Sequence, residues 1–283
     1  MHIASLIQGD RSTLSCELFP PKAGTPTEIG RKAVQETAAL KPAFISITCS
    51  AAHATPNETV ALSDFAQNEC DVTALAHLTC IGSTKQDIEH TLTQLRNRGI
   101  DNVLALRGDR PEGNESSWHA SDLMGEIAKF GGFCVGGACY PEGHPESASL
   151  NQDLDGLHAK ADNGCAFLTT QMFFDNNILY NFLYRLLKRR IEIPVIAGIM
   201  PVTNAKQIAR ICQLSGTTLP RRFRMIVDRF QDDPAAMRQA GIAYATEQII
   251  DLAANGVNHV HIYTMNKPEI ARGIFNNLSE IFR

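Results

Sequence analysis

Short apolar, strand-like segments alternate with helical ones from end to end of the 283-residue chain, eight strands in all. A repeat of this kind builds a parallel sheet covered by helices. The first strand reads as Leu14–Phe19, followed by helix Thr27–Leu40, whose Thr-Pro-Thr-Glu start supplies a hydroxyl cap and an early acid. Strand Phe44–Thr48, helix Glu58–Glu69, strand Leu75–Thr79 and helix Thr84–Arg98 follow, the last stopped by Gly99. The pattern continues through strand Asn102–Leu106, helix Ser121–Phe130, strand Phe133–Ala138, helix Asn151–Asn163, strand Ala166–Gln171 and helix Asn176–Arg189. Strand Val195–Ile199 and helix Asn204–Leu214 come next. Two further helices, Pro220–Phe230 and Pro234–Asn255, precede strand His259–Tyr263 and helix Pro268–Phe282. Eight units at this length favour an α/β fold of one kind, a closed (β/α)8 TIM barrel, over an open doubly wound sheet. The expected organisation is a single domain over residues 1–283, without linker or internal repeat.

Strand alternation says which side chains face the barrel axis. In the first strand Leu14, Cys16 and Leu18 suit the surrounding helices, so Ser15 and Glu17 point inward. The same test turns Ser46 and Thr48 inward, groups His77 with Leu75 and Thr79, Arg107 with Val103 and Ala105, and Gln171 with Phe167 and Thr169. Polar side chains at the carboxyl ends of barrel strands are where this architecture carries its chemistry.

Several function classes drop out. A formal net charge of -4 gives no global field for nucleic acid, and the basic runs Lys188-Arg189-Arg190 and Arg221-Arg222 read as solvated surface. No stretch approaches the roughly 18–20 apolar residues of a membrane span, and Met1–Leu6 lacks the pattern of a signal peptide. The eight cysteines include no Cys-x-x-Cys pair and six of them lie in or beside apolar strands, so a cytoplasmic, reduced protein is expected. There is no Gly-x-Gly-x-x-Gly, P-loop, His-Glu-x-x-His or Gly-x-Ser-x-Gly motif. His259 and His261 share a strand face, but no further ligand stands at metal spacing; packing or hydrogen bonding is the expected role, and no metal is assigned.

Glu17 ends the first strand just before Pro20-Pro21. Burial raises a carboxyl pKa, and a catalytic acid works best when that value approaches the working pH. The plain alternative is a structural pairing with an arginine. Arg107-Gly108-Asp109 ends the fourth strand with a turn whose glycine lets backbone approach a ligand. Tyr140-Pro-Glu-Gly-His144-Pro-Glu offers a ring and an imidazole on a rigid loop, Lys160 follows in the next helix, and Gln171 ends the sixth strand with an amide suited to a heterocycle.

Together these residues resemble the methylenetetrahydrofolate reductase family in its bacterial type. The matching motifs are Glu17-Leu-Phe-Pro-Pro, His77-Leu-Thr-Cys, Leu106-Arg-Gly-Asp109, Tyr140-Pro-Glu-Gly-His-Pro-Glu, Thr170-Gln-Met-Phe-Phe-Asp, Gly198-Ile-Met-Pro-Val and Tyr263-Thr-Met-Asn-Lys, in order over nearly the whole chain. The resemblance implies FAD as cofactor, contacted by Thr48, His77, Leu106, Arg107, Gly108, Asp109, His119, Ala120, Ala138, Tyr140, His144, Asp153 and Lys160. It implies NAD(P)H and methylenetetrahydrofolate as successive substrates in a ping-pong reaction of one-carbon metabolism and methionine biosynthesis. Glu17 and Asp109 are the implied catalytic residues, and Glu17, Gln171, Gln207, Ile211 and Lys267 the implied substrate contacts. A homo-oligomer is expected, and regulation by adenosylmethionine is not.

The chain departs from the pattern at identifiable places. Ile211 stands where relatives carry a gating phenylalanine, Lys267 where they carry an arginine, and His119, Gly156 and Ala159 where flavin-contacting Tyr, Asn and Arg are found. These departures leave the donor open among NADH, NADPH and an electron-transfer protein. Two other readings stand beside the first: a flavin-binding subunit reduced by a partner, and a cofactor-free barrel lyase using Glu17 and Asp109.

Overall fold

The staves of the fold are short aliphatic runs, and their register closes a circle. The computed structural model describes residues 1–9, 11–21, 25–49, 56–108 and 118–282. Strands β1 (Thr13–Leu18), β2 (Ile45–Ile47), β3 (Ala74–Thr79), β4 (Asn102–Leu106), β5 (Cys134–Cys139), β6 (Phe167–Thr170), β7 (Val195–Ile199) and β8 (His259–Tyr263) are all parallel. Each pairs with the next and β8 returns to β1, so the sheet is a closed barrel with no free edge.

Helices cover the outside. They are α2 (Thr27–Ala38), α3 (Pro56–Asp64) running into a π-helical turn at Phe65–Glu69, α4 (Lys85–Arg96), α5 (Ala120–Phe130), α6 (Leu150–Asp162), α7 (Asn176–Lys188), α8 (Ala205–Ser215), α9 (Arg221–Phe230), α10 (Pro234–Ala254) and α11 (Pro268–Leu278). Local chemistry starts them. Thr84 and Asp87 form a capping box on α4, and Ser149, Asp175, Asn204 and Asp233 accept backbone N–H groups at the starts of α6, α7, α8 and α10. The main core lies between strands and helices and includes Leu14, Cys16, Leu18, Ile45, Ile47, Val103, Ala105, Val260 and Ile262.

A four-residue helix that the sequence reading did not anticipate, α1 (Ile3–Leu6), plugs the amino-terminal end of the barrel. Ile3 and Ile7 pack there on Phe44, Leu75, Leu104, Cys134, Phe167 and Ile196. Asn102 ties the plug down: its Oδ1 accepts the Ile3 N–H at 2.8 Å, and its Nδ2 donates to the Met1 carbonyl at 3.0 Å. With that end filled by side chains, the carboxyl ends of the strands form the open mouth.

Two sequence expectations need correction. The last helix stops at Leu278 rather than Phe282. On β4, Leu104 belongs to the plug cluster while Val103 and Ala105 face the helices, so Arg107 does not share an inward face with Val103 and Ala105. Arg107 lies beyond the strand end, where pleat no longer dictates direction, and its guanidinium is set by an ion pair instead.

Candidate active site

A polar layer crosses the barrel interior from β1 to β3 and β8. Parallel register places Glu17 beside Ser46 on one side and Tyr263 on the other, with Ser15 beside His261 one layer below. Ser15 Oγ donates to the Val260 carbonyl at 3.0 Å and lies 2.7 Å from His261 Nδ1; Ser46 Oγ lies 2.9 Å from His261 Nε2. Glu17 Oε2 lies 3.6 Å from His77 Nε2 and 3.9 Å from His261 Nε2.

Those contacts are not ion pairs. Burial pushes the imidazoles of His77 and His261 down to about 3, so both are neutral at ordinary pH. Burial pushes Glu17 up to about 8, with a hydrogen bond to Ser46 pulling the other way. The Glu17 side chain keeps 22% exposure, so this proton is held close to a reachable surface. Among the described residues His77 Nε2 is buried without a hydrogen-bond partner, and at 3.6 Å Glu17 is too far to count as one.

Above this layer opens a cavity of about 820 Å³. Its apolar wall comes from Ile81, Ala105, Leu106 and Ala138, and its polar wall from Arg107, His119, Tyr140, His144, Asp153, Lys160 and Gln171. Arg107 forms a bidentate pair with Glu146 at 2.6 and 2.7 Å. Lys160 reaches from α6 to donate to the Ala138 carbonyl, and burial lowers its pKa. Tyr140 and His144 meet edge to face with ring centres 4.6 Å apart. Gly108, with φ at 92°, takes a backbone conformation that favours glycine.

The structure therefore gathers Leu106, Arg107, Gly108, His119, Ala120, Ala138, Tyr140, His144, Asp153, Lys160 and Gln171 on one cavity. Glu17, Thr48 and His77 do not line it. Thr79 does, and His77 stands two residues earlier on the same inward face, which puts the acid one layer below the cavity floor. Asp109 lies outside the described residues. Gln207 is exposed on α8, and Ile211 packs on a satellite cluster containing Met172, Phe174 and Phe223; neither lines the cavity. Lys267 donates to Thr203 Oγ1 at 3.3 Å, also away from the cavity wall. The structure does not bring these three to the cavity.

Sequence reasoning missed Ser15, Ser46 and His261 as parts of the site. The signal was present, since each shares its strand's inward face with a residue the reading did single out, and His261 and Tyr263 are two apart on β8. His259 pairs with Thr13 Oγ1 at 3.0 Å, in line with the hydrogen-bonding role expected of it. Among the described residues no cluster of His, Cys, Asp and Glu could hold a metal ion, and no helix is long and apolar enough to cross a membrane.

Comparison with known proteins adds four findings. The family model described as methylenetetrahydrofolate reductase matches residues 2–279. A 5,10-methylenetetrahydrofolate reductase of Pectobacterium carotovorum is 30% identical over 96% of this chain and 91% of its own length. A methylenetetrahydrofolate reductase (NADH) of Arabidopsis thaliana is 32% identical over 99% of this chain and 50% of its own. Among solved structures, an uncharacterized protein from Clostridium thermocellum that binds two copies of 5-methyl-5,6,7,8-tetrahydrofolic acid aligns with a TM-score of 0.66 and 14% identity, covering 96% of both chains. At that identity the likeness concerns the fold alone.

Proposed function

The chain belongs to the methylenetetrahydrofolate reductase family, and on that premise we propose that it reduces 5,10-methylenetetrahydrofolate to 5-methyltetrahydrofolate with FAD and electrons from NAD(P)H. The observation that carries the reading is the Glu17 carboxyl, held protonated up to about pH 8 beside neutral imidazoles one layer below the cavity floor. An acid at neutral pH is what opening the folate imidazolidine ring requires.

The residues present fit FAD on three counts. The cavity, at about 820 Å³, lies in the upper part of the usual range of roughly 300–1,000 Å³ for ligand sites. Gly156 bares the α6 backbone on its wall, and a Cβ there would meet nothing within 4 Å. The first turn of α5, with Ala120 and Ser121 on the wall, and the ammonium of Lys160 offer positive ends to a diphosphate. Arg107, Gly108, His119, Ala120 and Lys160 would hold the diphosphate side, and Leu106, Ala138, Tyr140, His144 and Asp153 the remainder, with Thr48 and His77 beneath. Bound there, the flavin supplies hydride storage between the two substrates.

The chain's own residues supply the rest. Glu17 gives its carboxyl proton to the bridging folate nitrogen, so that the five-membered ring opens to a cationic iminium. Gln171 presents an amide to the pterin edge, and Asp109 steadies the cation by charge. Because nicotinamide and folate use the same cavity in turn, ping-pong kinetics follow. The same reading makes the chain one catalytic domain, residues 1–283, working in the cytoplasm as a homo-oligomer.

Anaerobic stopped-flow on the flavin absorbance tests this. NADH or NADPH should bleach the flavin, and methylenetetrahydrofolate should restore it. Protein that takes up no FAD defeats the cofactor assignment, and reduced protein that folate leaves bleached defeats the reaction.

A further inference from the structure

Two acids of one loop reach different neighbours. The segment from Tyr140 to Ser147 runs from the end of β5 toward the start of α6 along the cavity rim. Glu142 reaches the connection between α8 and α9, where both of its carboxylate oxygens accept the Thr218 backbone N–H at 3.0 Å. Glu146 reaches the Arg107 guanidinium beyond β4, taking Nη1 on Oε2 at 2.6 Å and Nη2 on Oε1 at 2.7 Å. Of the two acids, Glu146 lines the cavity and Glu142 does not. One anchor therefore holds the loop from behind, and the other lies where a ligand can reach it.

The Arg107–Glu146 pair is unequal. The Arg107 side chain keeps 18% exposure and the Glu146 side chain 50%. Among the described residues, the other hydrogen bond of Arg107 is a long one, from Nε to the Gly108 carbonyl at 3.5 Å. A mostly buried guanidinium needs an anion, because a charge left unpaired there is costly. A half-exposed carboxylate needs its partner far less, since water solvates it nearly as well. Paired phosphate oxygens match the guanidinium fork as a carboxylate does, and two anions side by side on it would repel. Turning Glu146 about its own side-chain torsions frees the fork, while Glu142 still holds the loop.

We propose that Glu146 and the cofactor's diphosphate compete for the Arg107 fork, so that Glu146 yields it to the diphosphate when the dinucleotide binds. This deepens the assignment of FAD to the cavity and rests on it. One anion replaces another, and the guanidinium stays paired throughout. Glu146 thereby acts as a specificity-determining residue: a flavin that carries a diphosphate can claim the fork, and neutral riboflavin cannot. The sign is the opposite of a contact residue's, since removing the Glu146 charge should strengthen FAD binding.

Flavin fluorescence titration of the full chain tests this in four proteins: wild type, Glu146→Gln, Arg107→Gln and the double variant. Glu146→Gln should bind FAD about 3- to 10-fold more tightly, the worth of a partly exposed charge-assisted pair that no longer has to be broken. In the Arg107→Gln background the same change should gain less than about twofold, because only screened repulsion is relieved. Riboflavin should bind wild type and Glu146→Gln alike. In the wild-type chain, whether or not a variant folds, the 13C shift of the Glu146 carboxyl should move to that of a solvated carboxylate as FAD is added. Unchanged or weaker FAD affinity in Glu146→Gln overturns the exchange, as does an equal gain in both backgrounds or a Glu146 signal that FAD leaves in place. Wild-type protein that takes up no FAD overturns the cofactor assignment and the exchange with it. FAD uptake without folate reduction overturns the proposed reaction alone.

Discussion

Tyr263 reaches across β7 because Gly198 has no side chain. The Tyr263 hydroxyl donates to the Thr170 carbonyl on β6, and a Cβ on Gly198 would collide with both the hydroxyl and that carbonyl oxygen. The ring thus links β8 to β6 beside Gln171, and it does so from the register position next to Glu17. One glycine joins the acid side of the barrel to the side that offers the amide.

Gly198→Ala should therefore destabilise the fold by about 3 kcal/mol, combining overpacking with a lost buried hydrogen bond. Tyr263→Phe removes only the hydroxyl and should cost about 1 kcal/mol. In the Gly198→Ala background the same Tyr263→Phe change should cost almost nothing, because the bond is already broken. Urea unfolding of the four proteins measures the cycle, and additive effects would show that the two residues act independently.

Lys160 separates stability from binding. Its side chain is half-buried on the cavity wall, its one hydrogen bond among those resolved goes to the Ala138 carbonyl, and burial lowers its pKa. Removing the charge lifts that desolvation cost but leaves Asp153 without the cation that holds its pKa down, so the two effects offset. Lys160→Met should leave the melting temperature of the flavin-free chain nearly unchanged. The same change should weaken FAD binding about 10- to 100-fold, the range of one charge-assisted bond. Calorimetry and flavin fluorescence titration read the two effects. Unaltered FAD affinity would remove Lys160 from the cofactor site.

Much of this was legible in the sequence because period-two alternation is local. It marked eight strands and turned Glu17, Ser46 and His77 inward correctly. The same logic failed at Arg107, where the strand has ended and the Glu146 ion pair decides direction. It missed α1, whose four residues show no helical period; its place is set by Asn102, a hundred residues away in sequence. The Ser15–His261–Ser46 row was hidden for a related reason. Its members come from three strands that become neighbours only when β8 closes on β1. Gln207, Ile211 and Lys267 came from family likeness alone, with no strand pattern to place them.

The Glu17 proton should be visible in both stability and rate. Unfolded, the carboxyl titrates near 4.5; folded, it titrates at about 8. Between those values the native chain holds a proton that the unfolded chain has released. Stability attributable to Glu17 is therefore full below about pH 4.5 and declines as pH rises, until the whole loss is reached above about 8. With 22% of the side chain exposed, the loss should be about 3 kcal/mol rather than the full linkage value. Glu17→Gln cannot titrate, so it should match the wild-type chain at pH 5 and exceed it by that amount at about pH 9. Urea midpoints at both values check the sign, and a Gln variant that loses stability equally at both would make Glu17 a structural residue. The rates follow the same proton: the folate half-reaction should fall tenfold per unit above about pH 8 and collapse in Glu17→Gln, while flavin reduction by nicotinamide keeps its rate in both.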